Sequence, residues 1–421
     1  MTSTLRWLLV SVMAMLWWAP ADQASPVQAD WGLRVQPLES PAPGNSAQPQ
    51  LSVSARGVLL SWIERDGARA TLKFSELSST GWSTPGVVAA GDNWFVNWAD
   101  VPSVIRLPDG TLAAHWLQKS GPGTSAYDVR LSHSTDDGRT WAPSSLPHAD
   151  ETPAEHGFAS LFPGAGGGMG LVWLDGRAMH AAGHAAGAGG AMTLRFGAFD
   201  RNWKQTIETP IDLRVCDCCP TAAAVTADGP IVAFRDRTDQ EIRDIVVSRL
   251  ENGKWTVPVA VASDNWHITG CPVNGPMLSA RGRTVAIAWF TGADAQNRAF
   301  VAFSSDAGRT FGTPIRLDDS ATLGRVDVEL LDDGSAVGSW IEYAGGSAQL
   351  KVRRMLPSGE RSGAVSVTSM GADRSSGFPR LARQGRQLVL AWTENTSAPS
   401  PGSSPQLRVR TAVAELPTAR R

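Results

Sequence analysis

Ser134-Thr135-Asp136-Asp137-Gly138-Arg139-Thr140-Trp141 decides the fold, because the chain writes it twice. It returns 170 residues later as Ser304-Ser305-Asp306-Ala307-Gly308-Arg309-Thr310-Phe311. Both copies read Ser-x-Asp-x-Gly-x-Thr-aromatic, follow a short apolar strand and lead to a proline, Pro143 or Pro314. The pattern is a hairpin device. Ser134 and Asp136, like Ser304 and Asp306, fold their side chains back on the local backbone. Gly138 and Gly308 supply a positive φ, and Trp141 and Phe311 turn toward the core. A device written twice marks a repeated unit rather than one site.

Working outward, each unit carries a strand that ends in an aromatic and then a polar residue. The aromatics are Trp62, Trp116, Trp173, Phe234, Trp289, Trp340 and Trp392, spaced 54, 57, 61, 55, 51 and 52 residues apart. A period near 50 residues with room for four strands means propeller blades. The spacing predicts an all-β propeller of seven four-stranded blades, with six blades as the alternative. The last unit runs out before its fourth strand. The alternating stretch Trp31–Glu39, with Leu33, Val35 and Leu38, is free to complete it, closing the ring and hiding two sheet edges.

Before that stretch, Arg6 precedes an apolar run from Trp7 to Trp18 and then small residues. Residues 1–29 read as a secretory signal cut after Ala21 or Ala29, leaving 30–421 as a single propeller. The run is too short for a membrane span. Export to a periplasmic or extracellular, oxidising compartment is expected, where cysteines can pair. A net charge of −2 over 421 residues gives no electrostatic case for nucleic acid or an anionic membrane. The 42 Gly and 27 Pro suit all-β structure, and 17 Trp against 2 Tyr disfavours chemistry that needs several tyrosines.

Through its two boxes the chain resembles the sialidase superfamily of Asp-box propellers. The resemblance implies boxes on the rim opposite the active site. It also implies a glycan or other small ligand in a central funnel, three arginines clamping a substrate carboxylate, a tyrosine nucleophile activated by a glutamate, and an aspartate acid/base. Blade phase then lists the ligand face: the loops entering each first strand and those joining second to third strands. Candidate clamps there are Arg177, Arg235, Arg237, Arg325 and Arg374, because a planar guanidinium grips a carboxylate at two points. Candidate acids are Asp100, Asp175, Asp236 and Glu155. Glu342 with the adjacent Tyr343 joins them, and Trp98, His156, Trp266 and Asn274 complete the expected lining. The family's Arg-Ile-Pro blade start finds its nearest match at Asp100-Val101-Pro102, with Asp in place of Arg. Neither Tyr127 nor Tyr343 lies on an entering loop, so no nucleophile is assigned from sequence.

All four cysteines fall on the entering loops of consecutive units: Cys216, Cys218 and Cys219 on one, Cys271 on the next. They are expected to meet in space, with His267 nearby. Three readings are open: disulfides linking the loops, a copper(I) or zinc site of thiolates with His267, or free redox-active thiols. The Gly-rich segment after Arg177, holding His180 and His184, suits a flap. Three functions follow as alternatives: a sialidase-like glycan-active propeller, a metal- or redox-linked binding propeller, or a scaffold for a protein partner on a rim of Trp94, Trp98 and Trp266.

Overall fold

The computed structural model describes residues 27–28, 31–181, 190–344, 347–396 and 406–417. Seven antiparallel sheets form from them, which decides for seven blades over six. The first strands are Ser46–Ser54, Ser103–Arg106, His156–Pro163, Ala222–Thr226, Met277–Arg281, Thr322–Leu330 and Arg380–Gln384. Each contacts the first strand of the next blade, and the last contacts the first, so they ring one axis. The second blade departs from the four-strand plan. It has three strands, and the bridge between Leu131 and Ser145 stands where a fourth would lie.

The ring closes as expected. Val35–Leu38 pairs antiparallel with Leu407–Glu415, with Val35 opposite Ala414 and Leu38 opposite Thr411. Leu33 joins the core between the last two blades. Of the proposed leader, only Val27–Gln28 is described, and it runs parallel to Arg361–Ser362 at the edge of the sixth blade. His184 lies outside the described residues, as does the side chain of His180. Ahead of them the loop opens with a short helix, Arg177–Ala181. Among the described residues no helix is long and apolar enough to cross a membrane.

The apolar core lies between blades rather than within them. One face of a sheet cannot shield itself, so each blade buries its apolar residues against the next. A separate cluster fills each of the seven seams, such as Leu117, Tyr127 and Val129 of the second blade with Leu171 and Trp173 of the third. All seven second-strand aromatics are buried in these seams. Trp62, Trp173 and Trp340 also donate Nε1–H to the carboxylate two residues on, Glu64, Asp175 and Glu342, at 2.8–2.9 Å. That bond satisfies an indole that would otherwise be buried without a partner.

The two boxes have the same internal bonding. Ser134 Oγ donates to Asp136 at 2.8 Å and accepts from the Gly138 amide at 2.8 Å. Asp136 accepts from the Thr140 amide at 2.9 Å and its hydroxyl at 2.7 Å. Ser304, Asp306, Gly308 and Thr310 repeat the pattern. The Gly138 and Gly308 φ values of 80° and 81° lie where a Cβ is strained. Asp137 of the first box pairs with Arg56, and Arg309 of the second with Asp228, each on a turn between first and second strands. These contacts stitch the rim opposite the loops expected to hold the site.

First strands enclose a central cavity of ≈ 220 Å³ lined by Ser52, Ser103, Asp327, Glu329 and Arg380, among others. Burial raises the Asp327 carboxyl to about 6 and that of Glu329 to about 8, although Glu329 keeps some contact with the channel. A raised carboxyl stabilises the fold fully below its unfolded value and loses that contribution as pH climbs through the folded value. Glu329→Gln is therefore expected to raise the melting temperature more at pH 9 than at pH 5. An equal gain at both would contradict the assignment. A chain beginning at Ser40, without the closing strand, is expected to melt at lower temperature and to self-associate through the freed edge. Unchanged melting and a monomeric elution would show that the closure is dispensable.

Candidate active site

Entering loops and second-to-third-strand loops meet on the face opposite the boxes. Backbone bridges join them, Val215 to Asp236 within the fourth blade, and Ile242 to His267 and Tyr127 to Glu155 each across a seam. That last bridge carries the arrangement sequence reasoning missed. Tyr127 opens the third strand of the second blade, Asp100 precedes its first strand, and Glu155 precedes the first strand of the third. The Tyr127 hydroxyl donates to Glu155 at 2.8 Å and shares a 3.2 Å contact with Asp100. Phe95 stacks on the tyrosine ring with centroids 3.8 Å apart.

Asp100 is held from the other side by the Phe158 amide at 2.7 Å. Gly157 permits this closeness, because a Cβ there would meet the Asp100 carboxylate at 2.1 Å. Burial, countered by the Phe158 amide, leaves the Asp100 carboxyl at about 7. Burial also lifts Glu155, with Asp217 adding repulsion, and lifts the Tyr127 hydroxyl well above its ordinary value. Asp100 and Tyr127 are almost fully buried, and Glu155 is the partly open member.

His156, one residue beyond Glu155, belongs to a second cluster. Its Nδ1 lies 3.1 Å from Asp128, and its Nε2 lies 3.5 Å from Asp150 and 3.7 Å from Asp175. His148 stacks on it at 3.9 Å and meets Asp150 at 2.7 Å. The carboxylates raise the His156 imidazolium against its burial, while burial and the His156 charge lower His148. The rings lie face to face, 14° from parallel, so their nitrogen lone pairs run side by side rather than converging on one ion. Arg177 closes the cluster through paired bonds to Asp175 at 2.8 and 2.7 Å and a bond to Glu208 at 2.9 Å. Arg177 and Asp175 therefore satisfy each other.

A third group surrounds Trp98. The guanidinium of Arg325 sits 4.9 Å and that of Arg374 5.9 Å from its ring centroid, while Phe378 stacks at 5.6 Å. Arg325 donates to the Asp373 and Gly377 carbonyls, each at 3.1 Å, and burial lowers it to about 10. Arg374 is exposed, and Tyr343, 44% exposed, contributes to the field at Arg325. The exposed Arg374 guanidinium is the member of this group that can meet an anionic ligand.

Other expected residues are committed to the scaffold. Arg235 is 1% exposed and donates only to the backbone carbonyls of Asn274, Arg243 and Phe290. Asn274 bonds the Pro272 and Leu323 carbonyls and the Arg325 amide. Glu342 accepts from Trp340, Lys351 and the Asp319 amide, which together outweigh burial and hold it at about 2. Arg237 binds Glu241 and Asp217. Burial lifts Asp236 to about 6, with Asp212 and Asp244 adding repulsion. Trp94 and Trp266 are 8% exposed, so the rim does not present them as anchors for a protein partner.

The cysteines converge as expected, without S–S bonds. Cys216 Sγ lies 3.3 Å from Cys219 and 4.0 Å from Cys218, and Cys271 faces Cys218. Arg243 donates to Cys216 at 3.4 Å. Hydrogen bonds from Cys218 and Cys219, then the Arg235 charge, push the Cys216 thiol down, while burial pushes Cys219 up. His267 is exposed on its bridge to Ile242 and is not among the grouped donors.

No family model matches the sequence, and no curated protein matches it. Among solved structures the chain is similar to the polysaccharide lyase Uly1, at 10% identity and a TM-score of 0.52, over 88% of this chain and 90% of that one. A GH93 alpha-L-arabinofuranosidase of Fusarium graminearum gives 13% identity and 0.49, over 77% and 95% of the two chains. The NanB sialidase of Streptococcus pneumoniae gives 9% and 0.46, over 89% and 93%. At such identities the likeness is one of fold alone.

Proposed function

We propose that this chain is an exported glycan-active enzyme whose acid–base centre is Tyr127, Glu155 and Asp100. The observation that carries the reading is the convergence of a glutamate and an aspartate from different loops on one tyrosine hydroxyl. These are the roles a sialidase-like hydrolase requires. Tyr127 is the nucleophile, Glu155 the base that takes its proton, and Asp100, at about 7, an acid/base near neutrality. Both carboxylates lie within 3.2 Å of the hydroxyl that would attack. Arg374 would hold the acidic sugar, and substrate must displace Phe95 to reach Tyr127. The shared fold with a polysaccharide lyase supports the glycan class of ligand.

Turnover is to be sought over a panel of acidic oligosaccharides and aryl glycosides, sialosides included. Tyr127→Phe and Asp100→Asn are each expected to lower kcat by about 10²-fold or more. Arg374→Ala is expected to raise KM with kcat nearly kept. No turnover on any member, or full activity in Tyr127→Phe, would sink the proposal.

A further inference from the structure

Beside this centre, and independent of the glycan reading, lies a group of side chains that the proposed chemistry leaves unused. Arg235 is a buried cation with no carboxylate within ion-pair distance among the described residues. Its donors are spent on neutral carbonyls, and its guanidinium lies 4.9 Å from the Trp266 ring centroid. Cys216, Cys219 and Asp264 each lie within reach of its charge, and Arg243 adds a second guanidinium 3.4 Å from Cys216 Sγ. Arg243 already shares Glu241 with Arg237.

A disulfide needs S–S near ~2.05 Å. The Cys216 sulfur stands 3.3 and 4.0 Å from its neighbours. Thiolates sharing one tetrahedral ion at ~2.3 Å per bond stand roughly 3.8 Å apart. The two Cys216 distances bracket that spacing, the three sulfurs lie within 4.8 Å of one another, and Cys271 of the next blade interacts with Cys218 from outside that group. Adjacent Cys218 and Cys219 can both serve one ion, whereas a bond between them would be strained.

We propose that Cys216, Cys218, Cys219 and Cys271 hold one thiophilic d10 ion, Cu(I) or Zn(II), as thiolates, and that Arg235 and Arg243 offset the negative charge of that centre. Binding releases the thiol protons to solvent and involves no electron transfer. The ion would pin the entering loop of the fourth blade to that of the fifth. Soft sulfur donors exclude magnesium and calcium.

The test uses the full chain purified without chelator, its metal measured by mass spectrometry and its thiols titrated in denaturant. It is repeated after stripping and reloading with Zn²⁺ or Cu(I) under anaerobic conditions. The expected result is one ion per chain, four thiols titratable once the ion is removed, and at least tenfold weaker binding in Cys219→Ser. Because Cys219 is buried, Cys271→Ser, at an exposed position, supplies the second variant and is expected to weaken binding in the same direction. A thiolate charge-transfer band on loading with Cu(I), and retention of that ion against Zn²⁺, would assign copper; the converse assigns zinc. A metal-free protein whose intact mass has lost the hydrogens of disulfide formation would overturn the proposal. So would four free thiols that take up neither ion.

Discussion

Everything on the ligand face depends on ring closure. Val35–Leu38 binds Leu407–Glu415, and this pairing makes the first and last blades neighbours. Because the apolar core lies in seams, a blade outside the ring would leave both faces wet. The hydrophobic term, about 25 cal/mol per Å² of apolar surface removed from water, is therefore collected only when all seven seams close. The boxes act on the other rim, where Asp137 and Asp228 tie neighbouring hairpins through Arg56 and Arg309. Both devices set how close the opposite loops come to one another.

Closure also explains why chemistry collects at a seam. Tyr127 and Asp100 belong to one blade and Glu155 to the next, so their meeting is a contact between blades. The same seam carries His148, His156 and their aspartates, a network that fixes the segment just beyond Glu155. Acids that serve the scaffold have their charge answered by an indole and a cation, as at Glu342 and Asp175. Asp100 is answered only by an amide and a hydroxyl, and burial keeps its proton available.

How much of this was legible in the sequence follows from which contacts are local. The second-strand aromatics repeat because each blade needs one large side chain in its seam, so the blade count could be read from Trp62 to Trp392. The strand Trp31–Glu39 could be paired with the last blade because that blade lacked a strand. The meeting of the cysteines followed from blade phase. Tyr127 was passed over because it lies on a strand rather than an entering loop. Its place as the first residue of a third strand, on the ligand-face end, was the signal available. Arg235 read as a clamp because it opens a second-to-third-strand loop on the ligand face. Only folding turns the Asn274 and Phe290 carbonyls inward to take up its donors. Missing a fourth strand in the second blade was equally hidden, since Leu131 and Ser145 keep a single bridge there.

The most direct measurement on the central claim is a crystal structure of Glu155→Gln with a bound acidic oligosaccharide. The expected result is the sugar carboxylate on Arg374 and the next glycosidic oxygen facing residue 155 and Tyr127, with Phe95 displaced. An oligosaccharide bound elsewhere on the propeller, with Phe95 still stacked on Tyr127, would contradict it.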